Sequence, residues 1–102
     1  MVELRRYNRV PVAVPVEFSE KGKEARERGK SKDLSIGGMF IETVRPLAFR
    51  AELVVYLALP GQSASFALPG VVRWTGAGGM GIQFGLLGAR ETHAITEATK
   101  EA

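Results

Sequence analysis

The chain has 102 residues, of which 14 are Lys or Arg, 11 are Asp or Glu and none is Cys. This length allows one small domain and leaves little room for a deep catalytic cleft. The absence of cysteine excludes disulfides, thiolate zinc sites and thiol catalysis. With 45% hydrophobic and 25% charged residues, the composition is typical of a soluble globular protein and not of a disordered chain.

The positive charge is concentrated in the first third of the chain. Residues 1–32 contain nine Lys or Arg and five Asp or Glu, whereas residues 33–102 contain five and six. An anionic partner is therefore expected near the first third. The first residues do not form a signal peptide, and the longest apolar run, 53–59, is far shorter than the roughly 20 residues of a membrane-spanning helix. We expect a cytoplasmic protein without membrane insertion.

The first apolar segment, 10–18, alternates with a period of two. Its inward face is expected to carry Val10, Val12, Val14, Val16 and Phe18. Such alternation predicts a half-buried strand. Pro11 and Pro15 lie on the other face and lack an N–H group, so this strand is expected at an edge or paired on one side only.

The later segments predict five more strands and one helix. A turn at 19–24 precedes a polar stretch from Ala25, which is best interpreted as a solvated strand. Further strands are expected at 39–43, 52–59, 65–75 and 79–84, with a bulge or bend at Pro69–Gly70 and a helix over about 90–100. Six short strands without long helices between them predict a small antiparallel barrel or sandwich.

Residues suited to catalysis are scarce. His93 is the only histidine and Asp33 the only aspartate, so a histidine-based metal site cannot form within the chain. Asp33, Ser35 and His93 are the residue types of a hydrolytic triad, but nothing in their spacing brings them together. The stretch 76–81 matches GxGxxG, yet a strand-like segment follows it instead of a helix, so its glycines are interpreted as hairpin residues. We expect no enzymatic activity, catalytic residue or metal site.

Two polar segments are candidates for ligand binding. The first contains Arg5, Arg6 and Arg9, whose guanidinium groups can bind phosphate, bind a guanine edge or stack on a base. The second, 33–38, combines a carboxylate and a hydroxyl with Gly37 and Gly38, which allow the backbone to approach a ligand closely. Each segment alone also has an interpretation without a ligand. The first could be a solvated basic terminus, and the second could be a structural turn.

Together the segments read RxxxR (Arg5, Arg9) and DxSxxG (Asp33, Ser35, Gly38), separated by a hydrophobic strand. This combination resembles the PilZ domain, a family known as bacterial receptors for the second messenger cyclic di-GMP. Segments 10–18, 33–43, 70–74 and 79–84 look like strands of the same family. The resemblance implies an all-β fold, a six-stranded antiparallel barrel with a C-terminal helix from about residue 90. Residues 1–9 would form a flexible ligand-binding arm, and the barrel domain would follow at 10–102.

The resemblance also implies which residues bind the ligand. The arm would contact its phosphates and guanines through Arg5 and Arg9, with Arg6 as an additional candidate. The barrel would hold a guanine through Asp33, Ser35 and Gly38, with Gly37 as supporting backbone. No metal or cofactor is implied besides the cyclic di-GMP ligand.

We therefore expect a receptor that changes conformation on binding cyclic di-GMP and signals to a partner protein in motility, adhesion or exopolysaccharide control. The alternative is an adaptor that keeps the fold and binds proteins without nucleotide. Binding of DNA or RNA is not expected, because Trp74, Tyr7 and Tyr56 are not interleaved with Lys or Arg along one strand. Since only four residues precede Arg5, a larger partner domain is expected on a separate protein or beyond this sequence.

Overall fold

The structure is a computed structural model that describes residues 9–62 and 64–100. These residues form seven strands followed by one helix. The elements are β1 (Val10–Pro11), β2 (Pro15–Glu20), β3 (Glu27–Leu34), β4 (Gly38–Glu42), β5 (Glu52–Ala58), β6 (Ser65–Gly76), β7 (Gly79–Phe84) and α1 (Ala89–Ala98).

The strands close into an antiparallel barrel. Their order is β1-β3-β2-β5-β6-β7-β4, and an additional pairing of β3 with β4 joins the two ends. The closed ring therefore contains six strands, with β1 lying beside β3 as an extension of β2. The interior is filled by side chains that alternate along each strand, including Phe18, Ile41, Leu68, Met80 and Ile82. The expected all-β fold, a six-stranded antiparallel barrel with a C-terminal helix, is confirmed.

The first strand is interrupted, contrary to the single strand expected at 10–18. β1 and β2 both pair with β3, but residues 12–14 leave the regular ladder. The buried Ser31 side chain replaces the missing bonds, because its hydroxyl accepts the Val14 N–H at 2.9 Å and donates to the Val12 carbonyl. Among the described strands β1 pairs only with β3, as expected from its proline. The same expectation is wrong for β2, which pairs with β3 on one side and with β5 on the other.

A bulge at Lys32 reverses the faces of β3. Ser31 pairs with Ile41 and Asp33 with the adjacent Phe40, so Lys32 is an extra residue on this strand. A one-residue shift moves every following side chain to the other face of a sheet. Asp33 therefore points outward, although unbroken alternation would bury it with Ser31.

A second bulge, at Arg73, reverses the faces of β6. Val72 pairs with Ile82 and Trp74 with the adjacent Gly81, which leaves Arg73 unmatched. Val72 is buried, whereas Trp74 is 47% exposed. The bulge expected at Pro69–Gly70 is wrong, because the pairing of β6 with β5 stays regular across both residues.

The helix α1 closes the described chain. It begins at Ala89, one residue before its expected start, and ends at Ala98. Its apolar face is narrow but is sufficient to pack the helix against the barrel, because Ala94 and Ile95 are buried in the core cluster. No helix in 9–62 or 64–100 is long and apolar enough to cross a membrane.

Replacing Ser31 by alanine tests how residues 12–14 are held. Ser31→Ala leaves the Val14 N–H and the Val12 carbonyl without their shared partner, and burying such groups unpaired costs about 1–3 kcal/mol. We expect the free energy of unfolding, measured with urea, to fall by this amount. Ser65→Ala, at an exposed position of β6, is the control and should change the unfolding free energy by less than about 0.5 kcal/mol. Equal midpoints for the two variants would contradict this role of Ser31.

Candidate ligand-binding site

Four positions lie side by side on the outer surface of the barrel. The pairings Asp33–Phe40, Phe40–Gly81 and Gly81–Trp74 place them in one row across β3, β4, β7 and β6. The two bulges supply the ends of this row, since they turn Asp33 and Trp74 outward. We call this row the Asp33–Trp74 row.

The aromatic part of the row is a stacked pair. The rings of Phe40 and Trp74 lie 5.1 Å apart between centroids with an angle of 29° between their planes. Gly81 makes this contact possible, because a Cβ atom at that position would lie 2.3 Å from Nε1 of Trp74. Phe40 is only 5% exposed, so it supports the indole from below and leaves Trp74 as the surface available to a ligand.

The acidic end of the row joins the two sequence motifs. Arg9 donates from Nη1 to Oδ1 of Asp33 at 2.9 Å, across 24 residues of chain. The same oxygen accepts the backbone N–H of Phe40 at 3.1 Å. Both charged side chains are 28% exposed, so the ion pair can be reached from solvent.

A pocket of about 230 Å³ opens between the ion pair and the aromatic pair. Its walls are Arg9, Lys32, Asp33, Phe40, Trp74 and Ala77. Lys32, the bulged residue, holds Nζ 5.9 Å from the centre of the Phe40 ring. The pocket thus combines two cations, one carboxylate and an exposed indole. This chemistry suits a planar group that carries N–H donors and is attached to negative charge.

The remaining residues of the DxSxxG motif build the turn between β3 and β4. Ser35 is 4% exposed, and its hydroxyl accepts the backbone N–H groups of Gly37 at 3.1 Å and Gly38 at 3.2 Å. The Gly37 carbonyl accepts the N–H of Phe84 at 2.9 Å. A Cβ atom on Gly38 would lie 2.0 Å from the carbonyl oxygen of Ile82, so the turn can pack against β7 only with glycine there.

The structure therefore separates the expected site residues into three groups. Arg9 and Asp33 meet in the pocket. Ser35, Gly37 and Gly38 form the adjoining turn and are not among the described residues of the pocket wall. Arg5 and Arg6 lie outside the described residues.

Sequence reasoning missed the roles of Lys32, Phe40 and Trp74. Alternation placed Phe40 and Trp74 in the strands expected at 39–43 and 65–75 and gave neither a part in the site, because neither bulge has a distinctive sequence signal. The hairpin interpretation of the glycines is confirmed. The GxGxxG stretch forms the β6–β7 hairpin, in which Gly76 and Gly78 adopt φ angles of 137° and 83°. His93 lies exposed on α1. Within the described ranges, no group of three or more His, Asp or Glu side chains could hold a metal ion.

The chain matches the family described as PilZ domain over residues 3–99 and belongs to that family. No curated protein matches it. The chain is similar to the crystal structure of the PilZ domain of CeSA from a cellulose-synthesizing bacterium, with 19% identity, a TM-score of 0.71, and coverage of 90% of this chain and 94% of that one.

Two further solved structures share the fold. One is the PilZ domain with c-di-GMP of YcgR from Escherichia coli, at 17% identity and a TM-score of 0.73, covering 95% of this chain and 89% of that chain. The other is the Bacillus subtilis inhibitor of motility MotI/DgrA, at 19% identity and a TM-score of 0.74, covering 94% of this chain. The match spans only 49% of the Bacillus protein. These likenesses establish the fold.

A methyl group at Gly81 tests the support of Trp74. Gly81→Ala should displace the indole from Phe40, because the added Cβ would overlap Nε1. Trp74 is the only tryptophan, so its fluorescence emission should shift to longer wavelength while the far-ultraviolet circular dichroism stays native. Gly85→Ala is the matched control, since its Cβ would meet Pro69 at 3.7 Å, an ordinary contact. An unchanged spectrum in Gly81→Ala would contradict the stacked arrangement.

Proposed function

We propose that this protein is a non-enzymatic, cytoplasmic receptor for cyclic di-GMP that binds the nucleotide against the Asp33–Trp74 row. The observation that carries the proposal is the meeting of Arg9 and Asp33, one from each motif, at 2.9 Å in the wall of one pocket. The family membership supports it, as do similar structures that include a PilZ domain with c-di-GMP and an inhibitor of motility.

Asp33 is proposed to recognise a guanine. A carboxylate only accepts hydrogen bonds, and the Watson–Crick edge of guanine offers two N–H donors to it. In the described structure Oδ1 is engaged by Arg9 and by the Phe40 N–H. Binding would therefore exchange the Arg9 contact for the guanine edge. The released guanidinium would then bind a phosphate or the O6/N7 edge of a base, both of which suit its planar fork.

Trp74 is proposed to stack on a base next to Asp33. Its indole is half exposed and is backed by Phe40, so its position is fixed before the ligand arrives. Lys32 lies in the same wall and would contribute positive charge towards the phosphates. Lys32, Phe40 and Trp74 come from three different strands, β3, β4 and β6, so the barrel fixes their spacing.

The remaining expected residues complete this proposal. Residues 1–9 would act as the ligand-binding arm of a single domain spanning 10–102, with Arg5 and Arg6 adding to Arg9. Ser35, Gly37 and Gly38 would hold the turn beside the guanine and let the backbone approach it. The bound nucleotide and arm would present a surface to a protein partner in motility, adhesion or exopolysaccharide control.

Calorimetric titration with cyclic di-GMP tests the recognition step. Arg9→Ala and Asp33→Ala should each weaken binding about 5- to 150-fold, since a good polar contact to a base contributes roughly 1–3 kcal/mol. Arg90→Ala is the control, because it removes the same charge from α1, away from the pocket wall. An absence of heat at tens of micromolar ligand, or unaltered binding in both variants, would reject the receptor and favour an adaptor that binds no nucleotide.

Removing the indole tests the stacking step. Trp74→Ala should weaken binding by about 1–3 kcal/mol, the usual contribution of one base stacked on an aromatic ring, whereas Trp74→Phe should retain most of the affinity. Phe49→Ala, which removes another exposed aromatic ring outside the pocket, should bind as the wild type does. Stacking is refuted if Trp74→Ala and Phe49→Ala bind cyclic di-GMP equally well.

A further inference from the structure

A second pocket lies on the opposite half of the barrel. The six-stranded ring is divided by β3 and β6, with β4 and β7 on one side and β2 and β5 on the other. The Asp33–Trp74 row covers the first half. The second pocket, of about 590 Å³, covers β2, β5 and the adjoining part of β3, and none of the described motif residues lines it.

This pocket opens where two strands stop pairing. β2 pairs with β5 from Glu20–Leu53 to Glu17–Tyr56, and the ladder described between them ends there, although β5 continues to pair with β6 up to Ala58. Pro15, the first residue of β2, has no N–H group with which to extend the ladder. The result is an open trough between two strands, with Pro15 at one wall.

A stacked cation fixes the chemistry of the trough. The guanidinium carbon of Arg26 lies 3.6 Å from the centroid of the Tyr56 ring, and Nη1 donates to Oε1 of Glu17 at 3.0 Å. The Tyr56 hydroxyl lies 3.4 Å from Oγ of Ser19, which holds the ring from its far end. Arg26 nevertheless keeps 49% of its side chain exposed, so part of the side chain can be reached by a ligand.

The charge that is left over in the trough is positive. Arg26 compensates Glu17, the only acidic residue in the described wall. Arg28 also lines the trough and forms no ion pair with any residue in 9–62 or 64–100. Lys30 lies two residues further along the same exposed face of β3, beside the described wall, where it is opposite Glu42 of β4. The described wall therefore keeps one net positive charge, which an acidic occupant would complement.

We propose that this trough docks an extended acidic segment of a partner protein. The carboxylates of that segment pair with Arg28 and Lys30, and one of its planar side chains stacks on the exposed part of Arg26. An extended chain fits because the trough runs between strands whose ladder has ended, where a strand-like segment can lie parallel to them. This proposal does not rest on nucleotide binding, since the two pockets share no described residue.

Nuclear magnetic resonance titration of the full chain with a short peptide that alternates Glu and Tyr tests the proposal. Saturable amide shifts are expected at Glu17, Arg28 and Tyr56, and a peptide that alternates Lys and Tyr should produce none. Arg28→Glu should weaken binding roughly tenfold, which corresponds to about 1.4 kcal/mol. Lys100→Glu, which makes the same charge change beyond α1, should weaken it less than about twofold.

Three outcomes would overturn the proposal. The first is an equal loss of affinity in both variants, which would show attraction to net charge alone. The second is saturable shifts confined to other parts of the barrel. The third is saturation of the trough by cyclic di-GMP and not by the acidic peptide, which would make it a nucleotide site. Binding at Asp33 is measured separately, so either conclusion can fail without the other.

Discussion

The candidate site depends on two one-residue bulges placed at the same level of the barrel. Side chains on a strand alternate between core and solvent, so the side chain of Asp33 or Trp74 would otherwise enter the interior. Lys32 and Arg73 each insert one residue and reverse the face just before these positions. Burying an uncompensated carboxylate would cost several kcal/mol, and the bulge at Lys32 avoids this cost while the inner face continues with Leu34, which is fully buried.

The two bulges form one site only because the strands between them, β4 and β7, supply residues that connect Asp33 to Trp74. β4 supplies Phe40, whose backbone N–H bonds Asp33 while its ring supports Trp74. β7 supplies Gly81, which has no side chain to separate the rings. A polar contact and an aromatic contact are thus joined through one residue, Phe40. The distance from carboxylate to indole is set by the spacing of hydrogen-bonded strands, which is about 4.8 Å from one strand to the next.

Much of the fold could be predicted from alternation and turn residues, but the bulges could not. The strands at 39–43, 52–59 and 79–84 follow from apolar residues at every second position, and the motif DxSxxG locates Asp33. Glycine and proline led the bulge prediction to Pro69–Gly70, yet Gly70 serves close packing there, because a Cβ atom would lie 2.5 Å from Cγ2 of Ile82. The actual bulges are at a lysine and an arginine, residue types that any exposed strand position accepts. Local sequence therefore does not distinguish them, and Trp74 could not be assigned to the site.

The strand β3 carries both proposed binding surfaces and separates them. Arg28 and Lys30 precede the bulge and face the trough, whereas Asp33 follows it and faces the pocket with Arg9. Four basic residues of the first third of the chain are thus divided between the two pockets, with Arg26 and Arg28 in one and Arg9 and Lys32 in the other. β3 is bonded to β2 on one side and to β4 on the other, so moving it would break two ladders at once. The two proposed surfaces are therefore held at a fixed separation along one strand.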